Sequence, residues 1–258
     1  MAHVERLTVY PVKGLDGVAV DEARVRPGGT LARDREYALV DADGEVVNGK
    51  RTARVHDLSA RFDGDGRVVV EADGERRRFD LGAERERAAA WFGAFFDLDL
   101  RLARDDALGH VDRRGAGPSV IGTATVETVA SWFDGVDPEG MRRRLRANVE
   151  VGGVPAFWED RFVGDGAPAF VAGDVRLEGV EPCGRCVVPT RDPDTGVATP
   201  DFRERFVERR RATFPDRADP DAFDHFYTLM LIARVPERDR GATLAVGDPV
   251  EVVGRDEG

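Results

Sequence analysis

Sulfur and lysine are both scarce in this chain of 258 residues. It has two cysteines, three methionines and four histidines. Lys13 and Lys50 are its only lysines, so nearly all of the 38 Lys+Arg are arginine. Two cysteines exclude a disulfide framework, and they exclude an iron–sulfur cluster held by four protein thiolates. Any redox chemistry therefore needs another carrier. No apolar run approaches the roughly 20 residues that a membrane-spanning helix requires. The longest lie around Phe157 and over Leu229–Val235. Met1–Val12 carries His3, Glu5 and Arg6 and has no apolar h-region, so it does not read as a signal peptide. The expectation is a soluble, cytoplasmic protein with no membrane span. Positive charge is also in deficit: 49 Asp+Glu leave a net charge of -11. Nucleic-acid binding, which needs a basic face to displace counterions from phosphate, is disfavoured as a function of the whole chain. An acidic, lysine-poor surface fits a halophilic-type protein kept soluble by charge at high salt. A GC-rich coding sequence, which exchanges Lys for Arg, explains it equally well.

What is present is enough for a core. The chain contains 14 Phe and is 41% hydrophobic, which suits one large domain or two small ones. Leu7–Val12 and Val18–Val25 read as strands around Gly14-Leu15-Asp16-Gly17. Tyr37–Asp41 and Glu45–Asn48 flank Asp43-Gly44, and Arg67–Ala72 and Arg76–Leu81 flank Asp73-Gly74, which are two hairpin signals. Over Glu84–Phe96 the pattern changes. Ala88, Trp91, Phe92, Phe95 and Phe96 recur at helical spacing. Further helices are expected over Thr125–Phe133, from Pro138 through Arg143, and over Pro200–Phe214, with strands over Tyr227–Val235 and Thr243–Val253. Many strands and few helices point to a mixed α+β, β-rich fold of barrel type. The Gly-, Asp- and Arg-rich stretch Ala107–Gly117 is the expected boundary, giving units 1–112 and 113–258.

Cys183-Gly184-Arg185-Cys186 is the first chemical candidate. A zinc half-site would need two of four scattered histidines, a spacing that matches no common finger. A thioredoxin-like pair should open a helix, whereas Val187-Val188-Pro189 follows here. A single thiolate serving a soft metal remains open, with Arg185 favouring the charged form. So does an inert, buried pair of small side chains. Downstream, Thr190–Gly196 is dense in turn-formers and should make a rigid loop beside the thiols. Upstream, Arg142-Arg143-Arg144-Leu145-Arg146 concentrates positive charge. Taken alone it is a solvated helix face; beside a thiol ligand it becomes a cradle for a phosphorylated cofactor.

The run from Arg146-Ala147-Asn148 through Gly173-Asp174, Pro182-Cys183-Gly184-Arg185-Cys186 and Asp192-Pro193-Asp194-Thr195-Gly196 resembles the MOSC domain, found at the C-terminus of molybdenum cofactor sulfurases. Tyr10-Pro11-Val12-Lys13-Gly14 and Arg33-Asp34-Arg35 resemble the β-barrel domain that precedes it, in the layout of the mitochondrial amidoxime-reducing component and its bacterial counterparts. The resemblance implies a MOSC-type β-barrel after an N-terminal β-barrel-like domain, and a molybdenum cofactor (Mo-molybdopterin). It places Cys186 at the metal-ligand and catalytic position, with Cys183 as a non-ligating neighbour. Arg146 and Asn148 fall where the pterin is held, with Arg185 beside the ligand. Lys13 and Arg35 fall at basic contacts to the phosphate. Lys50 stands where relatives often have Arg, and Gly14 stands where they carry Ser or Lys. Gly115-Ala116-Gly117-Pro118-Ser119 departs from the acidic or Ser-rich form of the family. No general acid is assigned, because Asp194 reads as a turn-former. The implied activity is reduction of N-oxygenated small molecules such as amidoximes or hydroxylamines. Electrons would come from separate proteins, a ferredoxin or a cytochrome b5-like carrier with its reductase. The alternative is a non-redox module that binds the cofactor, or carries sulfur as a persulfide on Cys186. In sulfurases that role follows a pyridoxal-phosphate-dependent desulfurase domain, so here it would need a partner enzyme.

Overall fold

A computed structural model describes residues 1–63, 67–113 and 115–254. Its largest element is an eight-stranded sheet. The order is Val250–Val253, Ala169–Ala172, Val175–Gly184, Thr228–Arg234, Ser119–Gly122, Val149–Gly152, His3–Val9 and Val18–Val20. All neighbours are antiparallel except Ser119–Gly122 and Val149–Gly152. A parallel pair needs a crossover, and two helices supply it. Taking Arg85–Phe96 as helix α1, these are α2 (Thr123–Ala130) and α3 (Pro138–Leu145). The fourth, α4, spans Phe202–Ala212.

The sheet curls. Val4 N donates to Asp248 O, Gly247 N to Val4 O and Val250 N to Ala2 O, so the chain before the last strand rejoins the first. These contacts stop short of a strand-length ladder. Val4, Leu7, Val120, Val149, Phe162, Phe170, Leu177 and Leu231 fill the interior of the curl. A second apolar cluster forms where α1 packs Phe92, Phe95 and Phe96 against two three-stranded sheets. These are Val12–Lys13, Tyr37–Asp41 and Leu100–Arg104, and the meander Ser59–Phe62, Arg67–Ala72 and Glu75–Asp80. A third cluster lies among α2, α3 and α4 and includes Cys183 and Met230.

The fold is therefore mixed α+β and β-rich, with four α-helices among the described residues. The eight-stranded sheet takes His3–Val9 and Val18–Val20 from one side of the expected boundary at 112/113 and six strands from the other. The expected strand Val18–Val25 divides in two. Val18–Val20 pairs with His3–Val9, while Glu22–Arg24 turns to Thr243–Ala245. The Asp43-Gly44 hairpin loses its second arm and keeps only a bridge from Val40 to Val46. There Asp41 Oδ1 accepts from Asp43 N and Glu45 N, which holds the chain as a turn. Thr243–Val253 is interrupted at Gly247, whose φ of +94° ends the first strand.

Candidate functional site

A cleft of about 640 Å³ opens over the carboxyl end of the Val175–Gly184 strand. Lys13, Gly14, Arg35, Arg146, Asn148, Arg185 and Cys186 all line it. Residues from widely separated stretches of sequence thus share one wall.

The early cations are set by backbone geometry. Lys13 ends a two-residue strand, and Gly14 follows at φ +93°. A β-carbon on Gly14 would stand 3.0 Å from Val47 O and 3.1 Å from the Asn48 α-carbon. The position therefore needs glycine for both its φ and its space. Arg35 sits at φ +49° and donates its backbone N–H to Tyr10 O at 2.7 Å. Its guanidinium pairs with buried Asp34, whose other oxygen accepts from Tyr10 N at 2.9 Å.

Tyr10 is the hub of this wall. Its ring has Arg146 4.1 Å and Arg35 5.2 Å from its centroid. Burial pushes its hydroxyl up to about 12, although both arginines pull the other way, so it stays neutral and donates to Ala147 O at 3.3 Å. Tyr10 stood inside a recognised motif but carried no assigned role; a tyrosine directly before Pro-Val-Lys-Gly was the available signal.

The arginine run divides by helical phase. α3 is capped by Asp137, which accepts from Gly140 N at 2.7 Å, and it stops at Arg146 in the left-handed region, φ +62°. Arg146 thereby leaves the helix direction and donates to Leu15 O at 2.6 Å, on the cleft wall. Arg143 reaches Asp194 at 2.7 Å and Asp16 at 3.7 Å. Arg144 is buried, donating to Pro189 O at 3.0 Å and to Arg191 O. Arg142 turns away to a two-pronged pair with Glu150. The expected cradle of consecutive arginines is thus corrected: Arg142 does not line the cleft, because adjacent helix positions point about 100° apart.

Cys186 is partly exposed, in the loop after Val175–Gly184. The main chain there is pinned from both sides, by Arg185 N to Tyr227 O at 2.9 Å and by Tyr227 OH to Cys186 O at 3.1 Å. Cys183 is buried, and its sulfur accepts from Arg185 Nη1 at 3.3 Å. Arg185 also donates to Leu145 O at 2.9 Å, tying the thiol loop to the end of α3. Both cysteines line the cleft, Cys186 partly exposed and Cys183 buried against the third apolar cluster. The Asp192–Gly196 loop is an Asx turn built by Asp192, whose Oδ1 accepts from Asp194 N and Thr195 N. Asp194 is spent on Arg143.

Asn148 is buried. Its Oδ1 accepts from Ser119 N and Oγ, and its Nδ2 donates to Thr8 O at 3.1 Å. The side chain stitches three strands at the cleft floor. Asp112, with no role assigned from sequence, lies across the cleft with Lys13 Nζ at 2.5 Å and Lys50 Nζ at 3.2 Å.

Eight of the lining residues are Lys or Arg and three are Asp, a cationic cleft in a chain of net charge -11. Among the described residues, no group of three or more His, Cys, Asp or Glu is placed to hold a metal ion. Cys186 is the more exposed of two sulfur donors in a cleft rich in cations. That donor set suits a metal that arrives carrying other donors on an anionic organic ligand. Among the described residues, no helix is long and apolar enough to cross a membrane.

Two domain models match the chain: the MOSC N-terminal beta barrel domain over residues 1–136, and the MOSC domain over residues 119–251. Mitochondrial amidoxime-reducing component 1 of Homo sapiens is 24% identical, over 98% of this chain and 83% of that protein. Mitochondrial amidoxime reducing component 2 is 24% identical in Bos taurus and 26% in Homo sapiens, each over 96% of this chain and 82% of the relative. Among solved structures, the YUAD protein from Bacillus subtilis aligns over 99% of this chain and 97% of its own, at 13% identity and a TM-score of 0.43.

Proposed function

The chain belongs to the MOSC family, and on that footing we propose that it is a molybdenum-cofactor oxidoreductase that reduces N-hydroxylated small molecules. The observation that carries the reading is the cationic cleft with one accessible thiol at its rim. When bound, the cofactor would supply oxygen-atom removal at an N–O bond and a two-electron store. The protein's own part is grip and orientation. Cys186 would hold the metal through its sulfur, at a point fixed by Tyr227 and Arg185. Lys13 and Arg35 would hold the phosphate of the pterin and Arg146 the pterin itself, the two arginines kept in place by Tyr10. Asn148 and Ser119 keep the floor rigid. Electrons would come from a separate carrier protein, and the names of the relatives, which say that they reduce amidoximes, support that substrate class.

The test is to produce the chain in a host that makes the cofactor, then to measure bound molybdenum and pterin and amidoxime reduction with reduced carriers. We expect about one of each per chain. Cys186→Ala should lose the metal while circular dichroism and melting stay as in the parent. A folded preparation that holds neither metal nor pterin and reduces nothing would defeat the proposal. A persulfide on Cys186 that passes sulfur stoichiometrically to an acceptor would favour the sulfur-carrier role instead.

A further inference from the structure

The two lysines of the chain converge on a single carboxylate. Lys13 Nζ lies 2.5 Å from Asp112 Oδ1 and Lys50 Nζ lies 3.2 Å from Asp112 Oδ2. The partners are separated by 99 and 62 residues of sequence, so the fold and not local geometry brings them together. Both lysines and the carboxylate line the cleft that holds Cys186, Arg35 and Arg146. A carboxylate held between two ammonium groups occupies the seat that a phosphate oxygen pair would take, with the same charge sign and bite.

We propose that Asp112 is an internal competitor: its carboxylate occupies the Lys13–Lys50 anion seat, and a phosphomonoester binds there only by displacing it. The supporting chain environment is open enough for such an exchange. The Asp112 side chain is 55% exposed and that of Lys50 52%, while Lys13 is 17% exposed and fixed at the strand end. Asp112 lies in the loop between the strands Leu100–Arg104 and Ser119–Gly122. Burial alone would raise its carboxyl, but hydrogen bonds and charge from Lys13, with Lys50 behind, bring it down to about 2. It therefore stays ionised, and competes, at every pH at which the fold would work. The consequence is a site tuned to ligands carrying a doubly charged phosphate. A singly charged diester replaces Asp112 with no gain in charge, whereas a phosphomonoester dianion gains one unit against both lysines.

The inference deepens the phosphate-holding role given above, but its test needs neither metal nor turnover. The full chain is produced in a host unable to make the pterin, and inorganic phosphate binding is measured by titration calorimetry at low and moderate salt. Asp112→Asn should bind phosphate about tenfold more tightly than the parent at low ionic strength, from removal of one competing charge about 4 Å away. The gain should shrink as salt rises, and it should vanish when Lys50→Met is added. Asp134→Asn, an exposed carboxylate on the loop after α2, makes the same change in net charge and should leave affinity as in the parent. An Asp112→Asn protein with parental or weaker affinity overturns the proposal, as does a gain matched by Asp134→Asn or kept without Lys50. Failure of the oxidoreductase reading would show instead as phosphate binding that follows these rules in a chain that never loads molybdenum.

Discussion

Glu159 should make this protein lose stability as pH rises, and the structure fixes the direction. The side chain is 1% exposed, in the short 3-10 helix Trp158–Phe162. Its Oε2 accepts from Gly122 N at 3.2 Å and Thr125 Oγ1 at 3.0 Å, at the amino end of α2, and its Oε1 has no partner. The adjacent Asp160 takes the nearby cation, Arg210, at 2.6 Å. Burial first, and the Asp160 charge second, push the Glu159 carboxyl from its ordinary 4.5 up to about 8. Below pH 4.5 the folded and unfolded chains both hold the proton. Between 4.5 and 8 only the folded chain holds it, so stability falls with rising pH, by at most about 1.4 kcal/mol per unit. Above 8 the loss is complete. From pH 5 to 8 the ceiling is about 4 kcal/mol, and even half of that moves the melting temperature by about 4–8 °C in a chain of this size. Glu159→Gln is neutral throughout. Melting the parent and this variant side by side from pH 5 to 9 cancels the contributions of other groups. The two should lie close together at pH 5, and the variant should pull ahead steadily to pH 8. A gap that stays constant across that range would refute the argument.

Two further outcomes follow from buried groups. Arg210→Met should lower stability by about 3–5 kcal/mol in urea unfolding, because it strands the Asp160 carboxylate in the core; adding Asp160→Leu should recover much of the loss. Asn148→Ala should cost about 1–3 kcal/mol by the same assay, since Ser119 N and Thr8 O lose the side chain that joins their strands.

Local pattern was legible in the sequence wherever a single element decided it. The 3.6-residue spacing of Phe92 and Phe96 marks α1, and Asp73-Gly74 marks the turn between Arg67–Ala72 and Glu75–Asp80. Elements that serve two sheets were less legible. Val18–Val25 reads as one strand, yet its halves pair with strands at opposite ends of the chain, and the local mark of that partition is Asp21, a poor strand former at the break. The thiol, the early cations and Asn148 were singled out because the resemblance tied them together, and the fold brings them to one cleft. Asp112 was missed because one acid among 49 Asp and Glu has no distinguishing neighbour until the fold sets it between Lys13 and Lys50.

The arginine run shows why charge counting cannot replace geometry. Arg142, Arg143, Arg144 and Arg146 are equivalent in composition, and summed they look like one basic patch. Helical phase gives each a different address: Glu150 for Arg142, Asp194 for Arg143, and the carbonyls of the thiol-proximal loop for Arg144. Three of the four are thereby neutralised or committed to holding structure. Arg146 differs because the helix ends on it, and its positive φ turns the side chain onto the Tyr10 ring. The cleft's available positive charge therefore comes from where α3 stops as much as from how many arginines it contains. Extending that helix by one turn would remove Arg146 from the wall without changing the net charge of the chain.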